Sequence, residues 1–370
     1  VVKITEFKTE LPQMDDFKSI VLNQTPLIDV RAPVEFSQGA FSSAVNLPLM
    51  NDEERQKVGL CYKENGNQAA VKLGHKLVNE TTRSPRIQSW IEFMDAYPDA
   101  LLYCFRGGMR SKISQQWLQD QGRSIVRLKG GYKAFRRFLI DYLDSIPELL
   151  EQKNIKPTVL SGRTGSGKTL VINRLSNALD LEGLAHHRGS AFGRHASPQP
   201  SQINFENNLA MSLMRLIESG IEQLIVEDEG RNIGSRYLSK PLFETLKSGS
   251  RIIVETSLEE RVQITLDEYV VEAQKEYSSM QAWNDFMQAA LQRIQKRLGG
   301  ERYQRVVKLL DYAIQQQSMD GSVEAHQGWI ETLLSEYYDP MYDYQMQNNS
   351  RPILFSGTAE EVLSYLNGKR

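Results

Sequence analysis

The chain has 370 residues, with 44 lysines and arginines against 46 aspartates and glutamates, a formal charge of −2. That length favours two domains over one, and 40% apolar residues suffice for packed cores. Near-neutral charge excludes a globally basic nucleic-acid binder, so any RNA surface has to be a local patch. No run of about 18 apolar residues occurs, which excludes a membrane-spanning helix, and Val1 onward carries no basic-then-apolar leader. Two cysteines, Cys61 and Cys104, are too few for a disulfide framework or a structural zinc site and point to a reducing cytoplasm.

In chain order, Leu27–Val30 reads as a strand ending at a polar turn, Ala100–Tyr103 as a second and Ser124–Leu128 as a third, with helical stretches between. One of these, Ser111–Gln121, stops at Gly122. Gly130-Gly131 turns the chain into an amphipathic helix over Tyr132–Leu143, and the charged stretch Glu148–Lys156 before Pro157 predicts a linker. A second series starts with a strand at Thr158–Leu160. A helix over Phe205–Ser219 follows, with Leu209, Leu213, Leu216 and Ile217 on one face. Leu224–Val226 and Ile252–Val254 read as strands, then a long helical region, then a returning strand at Pro352–Phe355. Alternating strands and helices predict parallel α/β sheets in both halves. The expected organisation is a first domain over 12–140, a linker over 141–156 and a second domain over 157–370. The second domain includes a helical region at about 258–346 and a last strand at about 352–356.

Gly162-Arg163-Thr164-Gly165-Ser166-Gly167-Lys168-Thr169 fits G-x-x-x-x-G-K-[ST] at every fixed position, between a strand and a helix. Such a loop wraps phosphate in backbone N–H groups, places a lysine on the terminal phosphate and offers a threonine hydroxyl to Mg²⁺. Leu224–Glu229 resembles a strand ending in acids, with Asp228 best placed toward a hydrated Mg²⁺. No Asn-Lys-x-Asp guanine motif is present. The loop reads a diphosphate and leaves open what that diphosphate is attached to.

Tyr103-Cys104-Phe105-Arg106-Gly107-Gly108-Met109-Arg110-Ser111 also lies between a strand and a helix. A thiol there faces loop N–H groups, a helix N-terminus and two guanidinium groups, all of which favour thiolate. Asp29-Val30-Arg31, Glu35-Phe36, Gly39, Ala44, Asn46 and Pro48, together with Leu128-x-Gly130-Gly131, resemble the two signatures of rhodanese domains. The usual Gly-His-Ile is Gly39-Ala40-Phe41 here. The resemblance implies a cysteine that carries sulfur or selenium. Five residues separate Cys104 from Arg110, one more than in typical sulfurtransferases and as many as in rhodanese-related C-x5-R phosphatases. A loop of that length suits a tetrahedral phosphate or selenophosphate. No acid stands in the loop to act as general acid, and Tyr103 replaces the histidine usual in such phosphatases.

A rhodanese-like parallel-sheet domain followed by a P-loop NTPase-like α/β domain with a helical extension resembles the tRNA 2-selenouridine synthase family over nearly the whole chain. The strings that carry the likeness include Cys61-Tyr62-Lys63, Gly74–Val78, Tyr103–Ser111, Gly165–Thr169, Leu181–Ala185, His187–Gly193 and Glu336–Tyr342. The resemblance implies conversion of wobble 2-thiouridine in tRNA to 2-selenouridine. In this scheme geranyl diphosphate alkylates the sulfur, and selenophosphate then supplies selenium as the S-geranyl group leaves. Cys104 would be the nucleophile that takes selenium, with Phe105 to Arg110 as the anion cradle and Gly162 to Thr169 holding the diphosphate. No tightly bound cofactor is expected, no metal site is assigned firmly, and Mg²⁺ is the one ion for which the pattern provides. His187, Arg188 and Arg194, in a Gly/Ser-rich stretch after the phosphate loop, are candidates for a substrate loop. Lys296, Arg297, Arg302 and Tyr303 recur at helical spacing and are candidates for tRNA contacts. Two other readings remain open: a C-x5-R phosphatase or sulfurtransferase fused to a nucleotide-binding domain, and a rhodanese fold used only as a scaffold.

Overall fold

A computed structural model describes residues 11–368; residues 1–10, where no leader pattern is read, lie outside the described residues. The chain divides into two compact units, one of residues 1–143 and 203–215, the other of residues 144–202 and 216–370.

The first unit is built on five short parallel strands: β1 (Gln13–Met14), β2 (Leu27–Asp29), β3 (Ala44–Asn46), β4 (Leu101–Tyr103) and β5 (Val126–Leu128), in the order β1-β5-β4-β2-β3. β2 and β4 are buried throughout, as central strands of a covered parallel sheet must be. The Cys104 loop leaves the carboxyl end of β4, the position at which open α/β sheets bind ligands. The helix Met109–Asp120 follows it. The helix Gly131–Gln152 runs well past Leu143, so most of the expected linker over 141–156 is helix. Buried Leu139, Ile146 and Leu150 continue its apolar stripe through Pro147, and this burial outweighs the hydrogen bond that proline removes.

Residues 203–215 also depart from the expected division. They follow the phosphate loop in the chain yet pack into the first unit. Ala210, Met211 and Met214 join a core with Phe41, Tyr103 and Phe135, and Asn204 Oδ1 accepts from Ala40 N at 2.7 Å. Arg136 donates to Asn207 Oδ1 at 3.0 Å and pairs with Glu206. The helix Gln202–Glu218 therefore buries a second stripe beside the Leu209–Leu213–Ile217 face legible in sequence.

The second unit holds β6 (Lys156–Ser161), β7 (Ala178–Leu179), β8 (Gln223–Glu227), the hairpin β9 (Asn232–Ile233) and β10 (Arg236–Tyr237), β11 (Ser250–Val254) and β12 (Ile353–Gly357). Its parallel sheet has the order β12-β11-β6-β8-β7, with β6 central and the phosphate loop at its carboxyl end. Helices between Leu258 and Gln347 form the expected extension around a core that includes Trp283, Met287, Leu291, Leu310 and Trp329. Among the described residues no helix is long and apolar enough to cross a membrane.

Candidate functional site: two anion-binding loops

The Cys104 loop is held from outside by its carbonyls. Tyr132 N donates to Cys104 O at 2.9 Å, Lys133 N to Phe105 O at 2.9 Å, and Arg127 Nη1 to Gly107 O at 2.8 Å. Among the described residues the N–H groups of Phe105, Arg106, Gly107 and Gly108 have no backbone acceptor. A loop whose carbonyls are engaged and whose amides are not is a cradle for an anion. Gly131 allows the close approach: its φ is +59°, and a Cβ there would stand 2.2 Å from Cys104 O.

Cys104 is buried, and its thiol donates to Ser111 Oγ at 3.2 Å, while Ser111 Oγ lies 3.1 Å from Gly108 O. Arg110 makes a two-pronged pair with Glu35, at 2.5 and 3.0 Å, and Arg55 approaches the same carboxylate at 3.8 Å. Burial opposes ionisation of Glu35, but Arg110 outweighs it and holds the carboxyl below its usual range. A carboxylate held in that state is a poor general acid, which weakens the phosphatase reading. Tyr103 is buried in the core beside Arg31 and also supplies no acid to the loop. Arg31 itself is tied to Asp29 and Gly39 O and lies over the Tyr132 ring. A cleft of about 920 Å³ opens over the loop, with Arg55, Lys63, Arg106, Arg110 and Arg136 along its walls.

The phosphate loop follows the same plan. Arg261 Nε donates to Thr164 O at 3.0 Å, Thr256 Oγ1 to Ser166 O at 3.0 Å, and Lys168 Nζ to Gly162 O at 3.2 Å. Gly165 has φ +77°, and a Cβ there would meet Thr265 Oγ1 at 2.6 Å. Lys168 and Thr169 open the helix Lys168–Ile172 and line a cleft of about 630 Å³ with Gly162, Thr164, Ser166 and Gly167. The Glu336–Tyr342 string braces this loop. Asp339 receives both guanidinium nitrogens of Arg261 at 2.6 and 3.0 Å, and Arg163 pairs with Asp343 and Asp339.

Asp228 borders the same cleft but is already partnered: Ser161 Oγ donates to it at 2.5 Å and Lys247 Nζ at 2.7 Å, with Arg351 at 3.6 Å. Burial resists its ionisation, and Lys247 overcomes this, keeping the carboxyl below its usual range. Glu182 lies nearby, its backbone N–H bonded to Glu227 Oε2 at 3.0 Å. Burial, then the neighbouring Glu229 and Glu227, raise its pKa to about 10, so it is neutral around pH 7. A neutral carboxyl beside a phosphate loop adds no repulsion to a bound diphosphate. Among the described residues no group of three or more His, Cys, Asp or Glu side chains is arranged to hold a metal.

The remaining candidates separate. Arg188 reaches the phosphate cleft and pairs with Glu276 at 2.6 Å. His187 is buried, and burial followed by the charge of Arg194 lowers its pKa to about 4. Arg194 is exposed and stands outside that cleft. Lys296 and Arg297 are exposed at the end of the helix Met280–Leu298. Arg302 and Arg305 share Glu336, and Tyr303 is half-buried against the helical core. Cys61 lies in the helical stretch Asp52–Leu77, kinked at Gly66. Arg261 and Lys247 stand in no motif of the sequence, and Glu35 and Glu182 stand in motif strings that reveal no role for them, since each acts through a partner distant in the chain.

The family described as rhodanese-like domain matches residues 9–138, and the tRNA 2-selenouridine synthase AAA domain matches residues 155–370. The chain is 58% identical over 356 residues to tRNA 2-selenouridine synthase of Hydrogenovibrio crunogenus, covering 96% of this chain and 99% of the relative. It is 53% identical to that of a Sulfurovum species over 96% of this chain and 98% of the relative. It is 48% identical to that of Pseudomonas fluorescens over 95% and 97%.

Proposed function

Since this chain belongs to the tRNA 2-selenouridine synthase family, we propose that it converts 2-thiouridine at the tRNA wobble position to 2-selenouridine. The observation that carries the reading is the pair of anion cradles in separate units, only one of which holds a thiol. In the first step the thiocarbonyl sulfur attacks C1 of geranyl diphosphate, and the C1–O bond breaks with its electron pair going to diphosphate. Lys168 and the loop amides stabilise that leaving charge. Where Mg²⁺ accompanies the diphosphate, Thr169 and the carboxyls lining the cleft are the groups that would meet it. In the second step the Cys104 thiolate attacks phosphorus of selenophosphate held by the loop amides and Arg110. The P–Se bond breaks with its electron pair going to selenium, and water later hydrolyses the S-phosphocysteine to phosphate. The C2–Se bond then forms as the C2–S bond breaks, and geranylthiol leaves with the sulfur electron pair. Cytoplasmic tRNA is the matching substrate pool.

The test is mass spectrometry of nucleosides from 2-thiouridine-containing tRNA after incubation with the protein, geranyl diphosphate and selenophosphate. Appearance of 2-selenouridine only when both small substrates are present is expected. Selenium incorporation that ignores geranyl diphosphate would overturn the two-step scheme.

A further inference from the structure

A second cavity, of about 580 Å³, adjoins the Cys104 cleft. Its walls come from the helical stretch Asp52–Leu77 and the helix Met109–Asp120, and its lining is largely apolar, including Met50, Val58, Val71, Ile113 and Trp117. Arg55, Lys63 and Arg110 line both this cavity and the cleft over the cysteine loop, so the two adjoin along a shared wall. Cys104 itself packs in the same apolar cluster as Met50, Trp117 and Val58. Around the cavity, Leu60 and Tyr62 are 56% and 58% exposed and Met109 is 37% exposed, so large apolar side chains are grouped at its rim.

Two lining glycines point the same way. A Cβ added to Gly59 would meet nothing within 4 Å, and one at Gly74 would meet only Val58 Cγ2 at 3.9 Å. Neither has a positive φ, so backbone conformation demands glycine at neither position, although glycine weakens a helix relative to alanine. Their effect is to leave room. Cavities of this size and polarity are typical of sites for small hydrophobic ligands. A cationic cradle and a hydrocarbon-lined chamber thus lie side by side.

We propose that this chamber holds the branched hydrocarbon chain of the S-prenylated nucleoside while its C2 carbon is presented to the Cys104 loop. The inference rests on the two-step reading above and adds to it where the chain goes during selenium transfer. A chain seated there would orient the isothiourea carbon and shelter the departing thiol.

The test uses anticodon stem-loop RNA carrying either S-geranyl- or S-methyl-2-thiouridine, with selenophosphate, and full-length Val71→Phe, Val58→Phe and Val71→Ala variants. Filling the chamber is expected to raise KM for the S-geranyl RNA by about tenfold or more. Conversion of the S-methyl RNA and geranylation of 2-thiouridine RNA should stay unchanged. Val71→Ala, which enlarges the chamber, should improve use of S-farnesyl over S-geranyl RNA, an outcome independent of whether the bulkier variants fold. Equal effects on both RNAs, or none on either, would overturn the proposal. Binding of geranylthiol, followed by quenching of tryptophan fluorescence, separates this inference from the reading beneath it. Wild-type protein that binds geranylthiol, with weakened binding in Val71→Phe, supports the chamber even if no selenouridine forms, in which case the two-step reading fails alone. Wild-type protein that makes selenouridine yet binds geranylthiol no better than Val71→Phe leaves the two-step reading standing and sinks the chamber.

Discussion

Arg110 meets Glu35 from 75 residues away in the chain, and neither side chain alone announces the pair. The pair keeps the guanidinium pointed at the cradle while the loop amides do the binding. Charge-assisted hydrogen bonds of this kind contribute about 1.5–3 kcal/mol when intact. Glu35→Gln is therefore expected to raise KM for selenophosphate roughly 10- to 100-fold while leaving S-geranylation untouched, as steady-state kinetics of the two half-reactions would reveal. Glu182 offers a pH signature. Its pKa, raised to about 10, means the folded protein holds a proton that the unfolded chain releases above a carboxyl's ordinary pKa of about 4.3. Stability contributed at this site is greatest at low pH and declines as pH rises between those values. Glu182→Gln should thus gain in Tm over the wild type by a margin that grows from pH 5 to pH 9. A constant margin would mean that Glu182 is ionised throughout.

At the scale of single elements, both loops owe their shape to chain segments far from their motifs. Gly131→Ala would drive a methyl group into Cys104 O and Gly107 N, which would lie 2.2 and 2.5 Å from it. Selenium transfer should fall by at least about 100-fold, with geranylation retained, because a misplacement near 1 Å costs that much. Asp339→Ala leaves the buried Arg261 without its carboxylate, and breaking a buried pair costs about 3–5 kcal/mol. A lower Tm and weaker diphosphate binding are expected, both read by calorimetry. The two anion motifs were legible in the sequence because each is a contiguous string between a strand and a helix. Strands β1 and β7, two residues each, left no alternation to read. Most of 141–156 is helix and not loop, because the apolar spacing of Ile146 and Leu150 continues through the charges and the proline. The braces Arg261 and Lys247 carry no signal of their own, and Glu35 stands in a signature string without a legible partner, since a charge in a sequence looks the same whether it is solvated or paired.

For the whole molecule, the two cradles belong to different units, and their chemistry should separate accordingly. Losing a contact to developing charge costs about 3–4 kcal/mol, or two to three powers of ten in rate. Lys168→Ala should suppress S-geranylation to that extent yet still convert pre-geranylated tRNA to the selenium product. Cys104→Ser should accumulate S-geranylated tRNA. Supplying each variant with each intermediate and quantifying nucleosides by chromatography decides the matter. Loss of both steps in Lys168→Ala, with tRNA affinity intact, would mean that the phosphate loop acts throughout. The inclusion of residues 203–215 in the first unit has a bearing on how the protein is made. On the ribosome, the seventy-odd residues between Leu143 and Arg215 take roughly 4–14 s to add at about 5–20 residues per second. During that interval the nascent first unit lacks Ala210, Met211 and Met214 from its core, while β6 and the phosphate loop are already being synthesised. The first unit begins first and is completed only after the second has started, so its core cannot close before part of the second unit has been made.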